Sequence, residues 1–296
     1  MRCRPILTLL LLPLTLAAAP VAKPKTPGDV IAAAPKADWR AISPEDLLVF
    51  ELAGNRIVVM QLAPAFAPVH VANIRALARS GWWDGAKIYR VQDNYVVQWG
   101  NNESDKPLPK AVVAKPPAEY HRARNGLSIT PLGSPDPYAP AAGFSGGWPV
   151  AYDARRGTAN LAHCYAMVGV GRDLSPDTGT GGELYAVIGH APRHLDRNIA
   201  LVGRIVAGFE HMSSLPRGTE ALGFYKLRSS DVPIVRARLA ADLPDLERPR
   251  FEYLAGPSFA SYLHVRKNRR DDFYIRPAGG VDLCNVNVPV RPVPAP

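Results

Sequence analysis

The stretch IYRVQDNYVVQWG, residues 88–100, places Arg90 at the head of a short apolar strand and Gln98 eight residues later. It lies between an Asp-Gly turn at Asp84-Gly85 and the polar pair Asn101-Asn102, so it reads as two β segments bent around Asp93-Asn94. A guanidinium stays charged at any ordinary pH, and setting it beside Val91, Val96 and Val97 is costly unless something pairs with it or uses it. Taken alone, the pattern leaves both options open, a buried ion pair or a reactive site.

On the N-terminal side, the β-branched runs Leu47–Leu52 and Arg56–Leu62 flank Ala53-Gly54-Asn55, the signal of a hairpin. Pro68 can then open a helix in which Val71, Ile74, Leu77 and Ala78 share one face, and Gly81 can close it. On the C-terminal side, prolines and glycines between Asn102 and Gly157 interrupt any period, leaving only fragments such as Leu127–Ile129 as strands. That span, about 102–157, reads as a long loop insertion: pinned across the surface, serving a function of its own, or partly mobile. Strand patterns resume at Leu161–Val170, Glu183–Ile188, Ala200–Val206 and Ile234–Leu239, with a short helix over Phe209–Leu215 stopped by Pro216 and Gly218. Residues 241–296 form a C-terminal extension with a helix over Ser258–Asn268 and a last apolar segment, Val281–Val290.

The whole chain has 296 residues, 47% apolar, which fits a globular protein and excludes a disordered or coiled-coil one. Arg2 and Arg4, an apolar run from Ile6 to Leu16 and Ala17-Ala18-Ala19 have the layout of a secretory signal peptide, residues 1–19. Its apolar core is too short to span a bilayer comfortably, so the expectation is a cleaved chain, periplasmic or otherwise exported, with no stable membrane span. Residues 20–45, rich in Pro and Ala, read as an extended tether. In an oxidising compartment Cys164 and Cys284 have one possible intramolecular bridge; two buried thiols are the other reading. The formal charge of +9 does not imply nucleic acid, because Arg266-Lys267-Asn268-Arg269-Arg270 runs straight into Asp271-Asp272 and lacks interleaved aromatics. It reads as a solvated helix end.

Several other motifs fall away on physical grounds. Asp177-Thr178-Gly179 occurs once and follows Ser175-Pro176 instead of an apolar strand. His163 and Cys164 are adjacent, so on a strand they face opposite ways and cannot form a nucleophile–base dyad. His190 and His194 have helical metal-ligand spacing, but Pro192 between them disfavours the helix. Gly169-Val170-Gly171 is too short for a nucleotide loop.

Three segments in order, RIVVMQL with APVHVANIRAL, GWWDGAKIYRVQDNYVVQWGN, and ELYAVIGHAPRHLDRNIALVGRIVAGFEHMSSL, resemble the cyclophilins, the peptidyl-prolyl cis–trans isomerases. The resemblance covers most of residues 46–240. It implies a mainly β fold: a closed eight-stranded antiparallel barrel capped by two helices, here with the insertion and the C-terminal extension added. It also implies roles. Arg90 matches the family's catalytic arginine and Gln98 the glutamine that holds it and contacts the peptide. Tyr95 and Val96 would form one wall of a cup for the proline ring, Tyr185 the floor, and Leu195 and Ile199 the far side, with Glu183 and His194 also at the substrate.

This chemistry requires no cofactor and no metal, and its partners are proline-containing polypeptides; the chain is expected to act as a monomer. The rim departs from the family at Tyr89, where many relatives have histidine, at Trp99-Gly100, and at Glu183, where glutamine is usual. Ile199 stands where a pocket histidine is usual, and His194 near a position that is often tryptophan. Two functions follow. One is an exported isomerase that assists folding; the other is a proline-peptide binding module with reduced chemistry. Retention of Arg90 and Gln98 favours the enzyme, because binding a ring alone needs no guanidinium.

Overall fold

A computed structural model describes residues 24–101 and 106–294. The expected signal peptide, residues 1–19, lies outside the described residues, as do 20–23 of the expected tether. The chain begins with α1 (Pro27–Ala32), β1 (Trp39–Ala41), β2 (Leu47–Leu52), β3 (Arg56–Leu62), α2 (Pro68–Arg79), β4 (Lys87–Val91) and β5 (Val96–Gly100). Its middle forms β6 (Arg122–Ala123), β7 (Thr130–Pro131), β8 (Ala141–Ser145), β9 (Trp148–Asp153) and β10 (Thr158–Leu161). Then follow β11 (Met167–Val170), β12 (Leu184–Val187), β13 (Leu201–Ala207), α3 (Glu210–Ser213), β14 (Val232–Leu239), β15 (Phe251–Leu254), α4 (Gly256–Lys267) and β16 (Val290–Pro292).

Eight of these strands close into an antiparallel barrel in the order β11-β12-β5-β4-β14-β2-β3-β13, the architecture expected from the sequence. The β2–β3 hairpin pairs Val49 with Val59 and Phe50 with Val58. Phe50 then meets the rings of Trp83 and Trp99 edge-on, at 5.8 and 5.6 Å between centroids. Helix α2 covers one end, with Val71, Ile74, Leu77 and Ala78 all buried against the barrel. Its first turn lacks a local cap. Glu119, from the inserted region, accepts from the Val69 and His70 backbone N–H groups instead, both at 2.9 Å. An anionic carboxylate suits the positive end of a helix. The single-turn α3 buries Met212 in the same core.

The insertion differs from the loop expected. It carries a five-stranded sheet, β6-β10-β9-β8-β7, whose central hairpin joins β8 and β9 through Gly146-Gly147. Both glycines have positive φ, 56° and 80°, the backbone that a two-residue hairpin turn requires. The expected Leu161–Val170 strand is likewise two elements: β10 belongs to this sheet, and β11 to the barrel.

The tether is also folded from residue 26 onward. Thr26 and Asp29 make a capping box on α1, and β1 pairs with β15 of the C-terminal extension in a three-stranded sheet, β1-β15-β16. A second hydrophobic core results, shared by Val30 and Trp39, by Phe144, Trp148 and Val150 of the insertion, and by Phe259 and Leu263 of α4. Among the described residues no helix is long and apolar enough to cross a membrane.

Cys164 and Cys284 are joined by a disulfide, with Cα atoms 4.9 Å apart and a sequence separation of 120. It fastens the C-terminal extension to the segment just before β11. Reduction, or Cys164→Ala with Cys284→Ala, is expected to lower unfolding stability by about 2–4 kcal/mol. Urea titrations with and without reductant measure this.

Candidate active site

Arg90 reaches the barrel surface from β4, paired with Gln98 on β5. The ladder is irregular there: Ile88 faces Trp99 and Arg90 faces Gln98, so Tyr89 is the extra residue of a β-bulge. A bulge re-aims side chains and locally breaks the alternation of a strand. Here it brings both Tyr89 and Arg90 to one glutamine. Arg90 Nη1 donates to Gln98 Oε1 at 2.8 Å, and Gln98 Nε2 donates to the Tyr89 hydroxyl at 2.8 Å. Arg90 Nη2 donates to Gln92 Oε1 at 2.5 Å and Nε to the Leu222 carbonyl at 2.7 Å.

Among the described residues, three of the five guanidinium N–H bonds are engaged by these partners, which leaves two for a ligand. The face of Phe224 lies 5.6 Å from the guanidinium carbon. Half-burial lowers the Arg90 pKa, although a guanidinium remains protonated all the same.

In front of Arg90 is a cavity of about 550 Å³ lined by Tyr95, Val96, Gln98, Tyr185, Leu195 and Ile199 among others. The structure thus brings seven of the expected site residues, including Arg90 and Gln98, to one opening. Val96, Tyr185 and Val187 form a small buried cluster of their own, with Tyr95 and Ile199 packed on it. Tyr185 offers its ring to this cluster, while its hydroxyl meets His163 Nε2 at 3.0 Å. His163 is fully buried, which lowers its pKa and keeps the imidazole neutral. Its Nδ1–H therefore donates to Asp196 at 2.8 Å, and its Nε2 accepts from Tyr185.

Asp196 also accepts from Arg193 Nε at 2.5 Å, and Arg193 makes two more bonds, 2.9 and 3.1 Å, to Asp136 of the insertion. The inserted region is thereby wired to the floor of the cup.

Two expected substrate residues stand back from the cavity. His194 is exposed and stacks on the outer side of Tyr95, with centroids 6.3 Å apart and planes 2° from parallel. Glu183 sits one residue before β12, facing inward behind Gln98, where its Oε2 accepts from the Tyr89 hydroxyl at 2.5 Å. Its carboxyl fills the space over Gly100; a Cβ at that glycine would lie 2.1 Å from it.

Sequence reading missed Gln92, Leu222 and Phe224, which hold the far side of Arg90. Gln92 lies within residues 88–100, two positions after Arg90, where strand alternation puts it on the same face. Leu222, whose φ is +58°, lies in an irregular segment with no periodic signal. Leu174 and Leu222, 88% and 63% exposed, form apolar lips on the cavity.

Burial pushes the Glu183 carboxyl up to about 7 from 4.5, with the Tyr89 hydroxyl and the Asn101 backbone N–H opposing the shift. The folded state therefore favours the protonated form. Its contribution to stability is complete below pH 4.5 and is lost as pH rises to about 7. Glu183→Gln, which cannot ionise, is expected to exceed the wild type by roughly 3 kcal/mol at pH 8.5 and to match it near pH 4. Urea unfolding at the two pH values reads this difference.

The family model for the cyclophilin type peptidyl-prolyl cis-trans isomerase/CLD matches residues 48–238. Similar curated proteins include a probable peptidyl-prolyl cis-trans isomerase of Brucella suis. It is 24% identical over 184 residues, covering 61% of this chain and 76% of the relative. The Brucella abortus counterpart is 23% identical over the same shares. Among solved structures, a cyclophilin from Hirschia baltica superposes with a TM-score of 0.68 at 24% identity, over 91% of this chain and 98% of its own. That likeness extends beyond the span matched by the family model.

Proposed function

This chain belongs to the cyclophilin-type peptidyl-prolyl cis–trans isomerases, and from that premise we propose that Arg90 is its electrostatic catalyst and that its substrates are exported proteins in the course of folding. The prolyl amide resists rotation by about 18–20 kcal/mol because the nitrogen donates its lone pair into the carbonyl. Uncatalysed exchange takes tens of seconds or longer. Twisting the bond by 90° localises that lone pair on nitrogen, which then becomes a hydrogen-bond acceptor. A donor aimed at the nitrogen stabilises the twisted state and neither planar state, so it lowers the barrier without tightening ground-state binding.

The observation that carries this reading is a guanidinium held by three hydrogen bonds at the edge of a cup lined with Tyr95, Val96, Tyr185, Leu195 and Ile199. The ring is fixed in the cup while the preceding carbonyl turns. Gln98 has a second duty toward the peptide backbone, and the apolar lips Leu174 and Leu222 suit apolar residues flanking the proline. No proton is transferred and no covalent bond forms.

Two-dimensional exchange NMR on a short Xaa-Pro peptide tests the proposal. Acceleration by the wild type is the expected result. Line broadening of the peptide without acceleration would point to a proline-peptide binding module instead.

Export is supported by the Arg2 to Ala19 layout and by the Cys164–Cys284 bridge, since such bonds persist in oxidising compartments. N-terminal sequencing of the mature protein, with fractionation of the producing cell, tests it. Sedimentation tests the proposal that the chain works as a monomer.

A further inference from the structure

Arg90 can act only if its two remaining N–H bonds point into the cup, and the group that aims them, Gln98, is an amide whose two ends are nearly the same shape. If the amide turned over, its NH2 would face the guanidinium, donor against donor. We propose that Tyr89 and Glu183 are positioning residues of this isomerase: the ionised Glu183 carboxylate sets the direction of the chain Glu183–Tyr89–Gln98–Arg90 and so aims the guanidinium. This inference rests on the Arg90 reading above.

The argument is one of donors and acceptors. A carboxylate can only accept, so the Tyr89 hydroxyl must give its single proton to Glu183 Oε2, 2.5 Å away. The Tyr89 oxygen can then only accept, which draws the Gln98 NH2 to it at 2.8 Å. That leaves Gln98 Oε1 turned toward Arg90 Nη1, at 2.8 Å. Burial raises the Tyr89 pKa, so the phenol keeps the proton the chain needs. Its ring is clamped by stacking on Phe224, centroids 5.9 Å apart, and is 3% exposed. Once Glu183 is protonated it can donate as well as accept. The Tyr89 proton is then free to turn, and the direction of the chain is lost.

The groups around Glu183 leave few other sources of a titration. Tyr89 faces it from β4 and the Asn101 N–H from the end of β5, with Gln98 and then Arg90 further along the chain, and the Trp82 and Trp83 indoles donate to the adjoining Gly182 carbonyl. Arg172 and Asp173 line the cavity mouth. His163 beneath the floor is held neutral by burial, and His194 stacks on Tyr95 outside the cup. Burial places the Glu183 transition near pH 7. The ionised form is thus the one that destabilises the fold, so this site trades stability for aim.

The test is exchange NMR between pH 5.5 and 8.5 on wild type, Glu183→Gln, Tyr89→Phe and Arg90→Ala. Wild-type kcat is expected to rise about 2- to 10-fold with pH, around a midpoint near 7, with little change in KM; that span is what one neutral hydrogen bond is worth. Glu183→Gln is expected to be flat across the range, and Tyr89→Phe flat with lowered kcat. A wild-type profile without slope, or a Glu183→Gln profile with the wild-type midpoint, overturns the inference. If Arg90→Ala were as fast as wild type, the Arg90 reading itself would fall. A slow Arg90→Ala with an unaltered Glu183→Gln profile removes only the positioning chain.

Discussion

Replacing Arg90 with alanine is expected to reduce kcat/KM for an Xaa-Pro peptide by about 10²–10³-fold, the usual loss on removing one pre-aimed donor from a transition state. The loss should fall on kcat. The proline ring still finds its cup, because Tyr95, Val96, Tyr185, Leu195 and Ile199 are untouched, so binding should change little. The fold should survive, because Arg90 is half-buried and its partners Gln92 and the Leu222 carbonyl lie where water can replace the guanidinium. Arg90→Lys is a sharper probe. Lysine keeps the charge but loses the planar fork that bonds Gln98, Gln92 and Leu222 while offering a further N–H to the ligand, so it should recover little of the rate. Exchange NMR with circular dichroism on the same samples checks both expectations. A mutant as fast as the wild type would sink the mechanism.

The second large effect is expected far from the reacting bond. Arg193 is 3% exposed and shares its charge between Asp196 and Asp136, so Asp136→Ala leaves a buried guanidinium with half its compensation. Breaking one partner of a buried pair typically costs about 3–5 kcal/mol. Asp196 is also the group that holds His163, and His163 holds Tyr185, so looser peptide binding should accompany the loss. The double change Asp136→Leu with Arg193→Met removes this pair but leaves the buried Asp196 carboxylate with only His163 as partner, so it is expected to restore only part of the stability. Urea unfolding of the single and double variants decides the point. A single-mutant loss within the noise of the titration would mean the insertion is not braced through this pair.

Much of the barrel was legible because its strands are regular. Leu47–Leu52, Arg56–Leu62 and the faces of α2 follow periods of two and 3.6, and the structure places them where those periods put them. The inserted sheet was not legible, because its strands are short and carry Gly143, Pro149 and Pro131, residues that normally argue against a strand. Gly146-Gly147 between Phe144 and Trp148 was the available hairpin signal. The folded part of the tether was not legible for a similar reason: Pro24, Pro27 and Pro35 suit an extended chain, whereas Pro27 opens a capped helix. Its burial depends on α4, more than 200 residues later.

By itself the sequence determined which chemical groups could meet: Arg90 and Gln98 on adjacent strands, an apolar set for a ring, and two cysteines able to bridge. Those properties follow from residue type and from local period, which the chain carries everywhere. Tertiary structure alone decided how the groups act. The bulge that turns Tyr89 toward Gln98, the burial that lifts Glu183 to about 7, and the Asp136–Arg193–Asp196–His163 chain beneath Tyr185 each join segments distant in sequence or depend on exclusion of water. Ionisation and hydrogen-bond direction respond to solvation and to non-local partners, and neither is a property of a residue or its neighbours in the chain.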